Sequence, residues 1–274
     1  MNARILISVL LFFWAITLSL SVHAELTFTA PPRESPEAGM QLYGPIANAL
    51  SKMLGEKVIY EHPRDWLTYS RRMREGDYDI VFDGPQFASW RMTHINHVPL
   101  VRIQGDLRFV IITNQNSGIQ DIQDLATKKI CALASPNLAT LSILREFTNP
   151  VRQPMLVEGK GGMKGIYQRF KDGDCMAVIL RDSFYNNKIS DLERDEYRVV
   201  WESMRMPNQT ITMTQVISRD SRDKVLKAFS SDQGAVSALP LFKRFSKKST
   251  RFIVAEPDEY EGLNFLLEGV VWGW

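Results

Sequence analysis

The sequence predicts an α/β protein of two lobes, joined by two crossover strands and divided by a ligand cleft. Three observations predict it. Short apolar strands alternate with amphipathic helices, a pair of extended runs interrupts them, and the same alternation then restarts.

In the first alternating unit, residues 26–30 read as a strand, followed by a polar, Pro-rich loop over 31–39. A helix is expected to open at Gly44-Pro45, because the missing N–H of Pro costs nothing at the first helical position. Ile46, Leu50, Met53 and Leu54 share one face of it, and Gly55 stops it. Residues 58–60 form the next strand. Asp65 caps a second helix with Trp66, Tyr69 and Met73 turned inward, and Gly76 ends it. Residues 79–82 are a third strand, ending at Asp83-Gly84-Pro85.

Residues 98–103 and 108–113 flank Gln104-Gly105-Asp106 as a hairpin or a sheet edge. The rhythm then repeats with a strand over 129–133, a helix over 138–147 and a strand over 155–157. A helix lined by Met163, Ile166, Tyr167 and Phe170 follows, and then a strand over 175–180. Residues 210–217 are extended and suit a return crossing, and Ser221 is placed to cap a helix carrying Val225, Leu226 and Phe229. The expected organisation is a signal peptide at 1–24, a discontinuous first lobe at 25–115 and 214–274, and a second lobe at 116–213. The hinge is expected near Asn114 and Met213.

The signal peptide is read from Arg4, the apolar run over residues 5–20, and Val22-His23-Ala24 before a cleavage point; an uncleaved anchor is the alternative. At 274 residues, 45% apolar and 23% charged, the chain is an ordinary folded protein. Loss of Arg4 with the leader takes one from the 33 Lys+Arg and leaves them against 31 Asp+Glu, a formal charge of +1. Such a balance gives no reason to expect nucleic acid or an anionic membrane as a partner. The densest basic stretch, Lys243, Arg244, Lys247, Lys248 and Arg251, reads as a solvated helix face. Cys131 and Cys175 exclude a cysteine scaffold; they either pair in an oxidising compartment or pack as two apolar thiols.

Enzyme motifs do not assemble. His62, His94 and His97 carry no His-Glu-x-x-His pattern, no Gly-x-Ser-x-Gly elbow is present, and no cofactor or metal is called for. In an open α/β sheet, ligands gather beyond the carboxyl ends of the strands. That singles out the loops at 31–40, 62–66, 83–87, 134–140, 159–162 and 181–185. Arg33 suits a carboxylate or phosphonate, or is simply solvated. Asp83 and Gln86 either meet the ligand or cap the helix that follows. Phe87 either walls the ligand or packs in the core, and the spacing of Trp66 favours the core. Ser135, Asn137 and Thr140 are hydroxyl and amide donors at a helix start, Lys160 stands among glycines as a phosphate-like cradle, and Asp182 follows a strand end.

These loops, together with export, resemble the periplasmic solute-binding proteins of ABC importers, in particular the phosphate/phosphite/phosphonate-binding group of the type 2 periplasmic-binding fold. The resemblance rests on Tyr43-Gly44-Pro45-Ile46, Gly76-Asp77-Tyr78-Asp79-Ile80 and Gly84-Pro85-Gln86-Phe87. It continues with Asp121 to Asp124-Leu125, Lys128-Lys129 and Gly173-Asp174. It implies a periplasmic, monomeric protein that closes on a small, anionic solute and hands it to a membrane permease. A sensing partner of a membrane signalling protein is the alternative on the same fold. The resemblance also implies an acidic residue for an amino-bearing ligand, which places Asp182 in that role. The group carries a Ser-Thr-Ser-Gly-like turn and a later His; here the turn reads Ala134-Ser135-Pro136-Asn137, and Glu158-Gly159-Lys160-Gly161-Gly162 has no His. A carboxylate or another oxyanion fits that thinner hydroxyl set equally well.

Overall fold

The computed structural model describes residues 25–246 and 249–268; residues 1–24, where the signal peptide is expected, Lys247, Lys248 and residues 269–274 lie outside the described residues. Two sheets form the frame. The first runs β13-β4-β12-β3-β1-β2, with β1 at Leu26–Thr29, β2 at Val58–Glu61, β3 at Ile80–Asp83, β4 at His97–Ile103, β12 at Thr210–Thr214 and β13 at Phe252–Val254. Strands β2, β1 and β3 pair in parallel, and β12, β4 and β13 follow with antiparallel pairings. The second runs β10-β6-β9-β7-β8, with β6 at Phe109–Asn114, β7 at Lys129–Ala132, β8 at Met155–Glu158, β9 at Ala177–Arg181 and β10 at Tyr197–Glu202.

Helices pack on both faces of each sheet, so residues of both faces of its inner strands are buried. Along β3, Ile80 and Phe82 pack toward the long helix α1 (Pro36–Leu54) and toward α8 (Arg219–Phe229) and α9 (Asp232–Phe245). Val81 points the other way, to Tyr69 and Met73 of α2 (Trp66–Glu75) and Phe87 of α3 (Pro85–Ile95). In the second lobe, Ile111 and Ile130 face Leu138 and Leu141 of α4 (Leu138–Arg145), while Ile112 and Val178 face Ile166 and Phe170 of α5 (Gly162–Lys171). Each such fully buried side chain contributes about 1.5–3 kcal/mol relative to exposure.

α1 opens nine residues earlier than expected, with Pro36 rather than Pro45 at the first helical position. Ser35 caps it by accepting from the Ala38 N–H, Pro36 takes the first position, and Pro45 lies inside the helix. The hydrogen bond lost at Pro45 is outweighed by the buried face of Leu42, Tyr43, Ile46 and Leu50. Likewise Ser218, not Ser221, caps α8.

The expected hairpin at 98–113 is not one. β4 stays in the first sheet, β6 pairs with β9 and β10 in the second, and the chain crosses between them. The return crossing lies before β12, which pairs with β3 and β4. The expected boundaries at 115/116 and 213/214 therefore fall one strand too late in each case. Between the lobes, β5 (Asp106–Leu107) pairs with β11 (Met206–Pro207) antiparallel, so the two crossings touch there rather than near Asn114 and Met213. A third link is formed by Leu263, Leu266 and Leu267, which join one apolar cluster with Trp90 of α3 and Leu141 of α4. Cys131 and Cys175 form a disulfide beneath α5. No described helix is long and apolar enough to cross a membrane.

Candidate functional site

A cavity of about 330 Å3 lies between the lobes at the carboxyl ends of β1, β2, β3, β7, β8 and β9. All six loops predicted from the sequence reach it. From the first lobe come Arg33, Trp66, Gly84 and Gln86; from the second come Ala134, Pro136, Asn137, Gly162 and Arg181. The crossings add Leu107, Phe109 and Gln209, and the end of α9 adds Arg244 and Phe245.

The lining is cationic. Arg33, Arg181 and Arg244 bring three guanidiniums, and no carboxylate lines the cavity among the described residues. The Phe245 ring carries two of them, with Arg33 at 5.9 Å and Arg244 at 5.1 Å from its centroid. Arg244 Nε also donates to Glu34 at 3.1 Å, and the Tyr43 hydroxyl donates to the same carboxylate at 3.2 Å. Among the described residues, neither Arg33 nor Arg181 has an ion pair within 4.0 Å. Burial pulls Arg181 below the ordinary guanidinium range, with the neighbouring Asp182 opposing it.

Several polar atoms here are buried without a hydrogen-bond partner: Arg33 Nη1, Arg181 Nε, Gln86 Oε1, Gln209 Oε1 and the Ser135 hydroxyl. Buried polar atoms are ordinarily satisfied, and leaving each unpaired costs about 1–3 kcal/mol. Their gathering in one cleft marks it as a place built to receive a polar guest. Two helix N-termini point there as well. α3 and α5 are capped by Gly84 and Gly161, which bring no capping side chain, and N–H ends without a side-chain cap favour an anion.

Among the residues singled out in the sequence, the structure brings Arg33, Gln86 and Asn137 to the cavity and places Ser135 in the same turn. Asn137 caps α4, accepting from the Ala139 N–H at 3.0 Å. The others stand elsewhere. Asp83 neither caps α3 nor faces the cleft: it is fully buried, and Arg91 Nη1 and Nη2 each donate to its carboxylate at 2.7 Å. Phe87 lies in the core, stacked on Trp66 at 6.1 Å, so Trp66 is the wall and Phe87 its backing. Thr140 is buried and donates to the Leu133 carbonyl at 2.5 Å, which closes the turn rather than lining the cavity. Lys160 is exposed outside the lining, where the loop presents Gly162 instead. Asp182 turns its carboxylate back on the Ser183 N–H at 2.5 Å; Arg181, one residue earlier on β9, is what the second lobe presents.

Sequence reasoning missed Arg244, Phe245, Gln209 and the two crossing residues. Only Arg244 had a signal, in the basic stretch; it stays exposed at the end of α9 while also lining the cleft.

Among solved structures, the chain is similar to a Xanthomonas citri protein bound to ATP (14% identity, covering 89% of this chain and 96% of that one, TM-score 0.67). It is also similar to PhnD1 of Prochlorococcus marinus in complex with methylphosphonate (13% identity, 88% and 96% covered, TM-score 0.62). A third is the binding protein component of an ABC phosphonate transporter from Pseudomonas aeruginosa (12% identity, 86% and 82% covered, TM-score 0.55). At such identities the likeness is one of fold, that of a two-lobed periplasmic binding protein. No curated protein sequence matches the chain. The profile of a family described as "ABC transporter, phosphonate, periplasmic substrate-binding protein" matches residues 28–260. These are transport proteins rather than enzymes, working outside the cytoplasm, and the chain belongs to this family of phosphonate-binding periplasmic substrate-binding proteins.

Proposed function

We propose that the protein binds a small oxyanionic solute between its lobes, closes on it, and delivers it to the membrane permease of an ABC importer. Support comes first from the charge of the cleft: three guanidiniums and no carboxylate line it among the described residues. Water alone solvates an anion well, so a binding site must replace that solvation with fixed donors. Arg33 and Arg181 offer unpaired N–H groups from opposite lobes, and Asn137 and the Ser135 hydroxyl stand at the helix start beside them. A solute that touches both lobes favours the closed arrangement by its differential affinity for it. The paired β5 and β11 segments lie where the rotation must be absorbed.

A thermal-shift screen of methylphosphonate, phosphite, phosphate and small carboxylates tests the proposal. At a hundredfold excess over its dissociation constant, a true solute adds about 2.7 kcal/mol of stability. A screen in which no oxyanion moves the melting transition would overturn it.

A further inference from the structure

We infer that the solute carries two anionic groups on a short carbon body, as in a phosphonocarboxylate, with the phosphonate on the second lobe and the carboxylate on Arg33. This rests on the solute-binding reading above. The two guanidiniums without an ion pair, Arg33 and Arg181, stand on opposite walls. A single small oxyanion held by one of them leaves the other half-buried with no counter-charge lining the cleft, at the cost of its partial desolvation.

The two walls differ in shape. On the second lobe, Arg181 shares the cleft with Asn137 and the N-terminal turn of α4, and the unpartnered Ser135 hydroxyl lies in the turn just before it. Donors from several directions suit a tetrahedral group with three oxygens. On the first lobe, the Arg33 guanidinium, a planar fork by its own chemistry, lies with its carbon 5.9 Å from the Phe245 centroid. A planar carboxylate matches a flat fork through two parallel hydrogen bonds.

Between the walls Trp66, Leu107, Phe109 and Met163 supply apolar surface, with the neutral amides of Gln86 and Gln209 beside them. A short carbon body suits that apolar surface. The size agrees: liquid water takes about 30 Å3 per molecule, so a cavity of about 330 Å3 holds more than a lone phosphonate. An ammonium group finds no carboxylate in the lining among the described residues, only the neutral carbonyls of Gln86 and Gln209, which do not balance its charge. That argues against an aminoalkylphosphonate.

Titration calorimetry on the disulfide-bonded protein, comparing 3-phosphonopropionate, propylphosphonate and 2-aminoethylphosphonate, tests this. The expected order is 3-phosphonopropionate at least tenfold tighter than propylphosphonate, with 2-aminoethylphosphonate weakest. In Arg33→Met the advantage of 3-phosphonopropionate falls to about one, while in Arg181→Met both ligands weaken together. Should either variant fail to fold, the wild-type order decides alone. Propylphosphonate binding as tightly as 3-phosphonopropionate, or 2-aminoethylphosphonate binding tightest, would overturn the inference and leave the solute-binding reading standing. Absence of binding by all three, together with a silent oxyanion screen, would sink both.

Discussion

Asp83 and Arg91 form a two-point ion pair, 2.7 Å at each contact, with both side chains fully buried. The Tyr69 hydroxyl donates to the same carboxylate, and Arg91 Nε donates to Thr212 Oγ1 at 3.2 Å, so the pair ties α2 and α3 to β3 and β12. Burial, and then the Asp83 carboxylate, hold the Tyr69 phenol far above its ordinary value, so it remains a donor. Removing one member of a buried pair leaves the other charge without compensation and costs about 3–5 kcal/mol. Asp83→Asn is therefore expected to lower stability by about that amount in urea unfolding while the folded fraction keeps its solute affinity. Lost affinity with stability intact would show instead that Asp83 touches the solute.

His97 gives a pH dependence. It is buried beside Arg91, and burial first, then the Arg91 charge, drop its pKa from 6.5 to about 3. Its Nδ1 lies 3.2 Å from Thr212 Oγ1, whose oxygen already accepts from Arg91, leaving the Thr212 proton to bond a neutral imidazole. The unfolded chain takes up a proton below about pH 6.5, whereas the folded chain refuses it down to about pH 3. Stability is thus greatest above pH 6.5 and is lost as pH falls through that window. Between pH 7 and 5 the loss from this one group is about 2 kcal/mol. Urea titrations across that range should show His97→Asn with a flatter profile than wild type; equal slopes would rule the buried neutral His97 out.

The disulfide joins Cys131 in β7 to Cys175 just before β9, across 44 residues of sequence. Closing a loop of that length in the unfolded chain is worth about 4 kcal/mol by chain entropy. Both sulfurs are buried against Tyr167 and Phe170, so Cys131→Ala/Cys175→Ala keeps an apolar site and isolates the crosslink. The double variant should unfold at lower urea concentration by about 2–4 kcal/mol, with little change in solute affinity because neither residue lines the cleft. A midpoint unchanged from wild type would refute the crosslink's role.

What could be read in the sequence was local. Asp65 and Gly76 bracket α2 as expected, because capping and left-handed termination are set by the residues themselves. The cleft loops were legible for a similar reason, since strand ends fix where they lie. Pairing was not legible. Whether β6 joins the first sheet or the second depends on partners such as Leu180 and Val199, far along the chain. The fate of Asp83 was equally hidden: a cap or a ligand is a local reading, and the fold brings Arg91 back onto it from two turns down α3. The side of β9 that faces the cleft decided between Arg181 and Asp182, and a one-residue difference reverses that choice.

Gly165 offers the last test. An added Cβ there would lie 1.7 Å from the Lys160 carbonyl oxygen, a backbone atom that no rotamer change can move. The close approach fixes the first turn of α5, which carries Gly162 and Met163 into the cavity wall. Gly165→Ala must therefore push the loop and the helix apart, at about the 1–3 kcal/mol typical of overpacking. Because the displaced backbone is the cavity wall itself, solute affinity should fall in the same variant, unlike in Asp83→Asn. Urea unfolding and calorimetry on Gly165→Ala read both effects; a variant weakened in stability but binding at wild-type strength would show that the α5 turn takes no part in holding the solute.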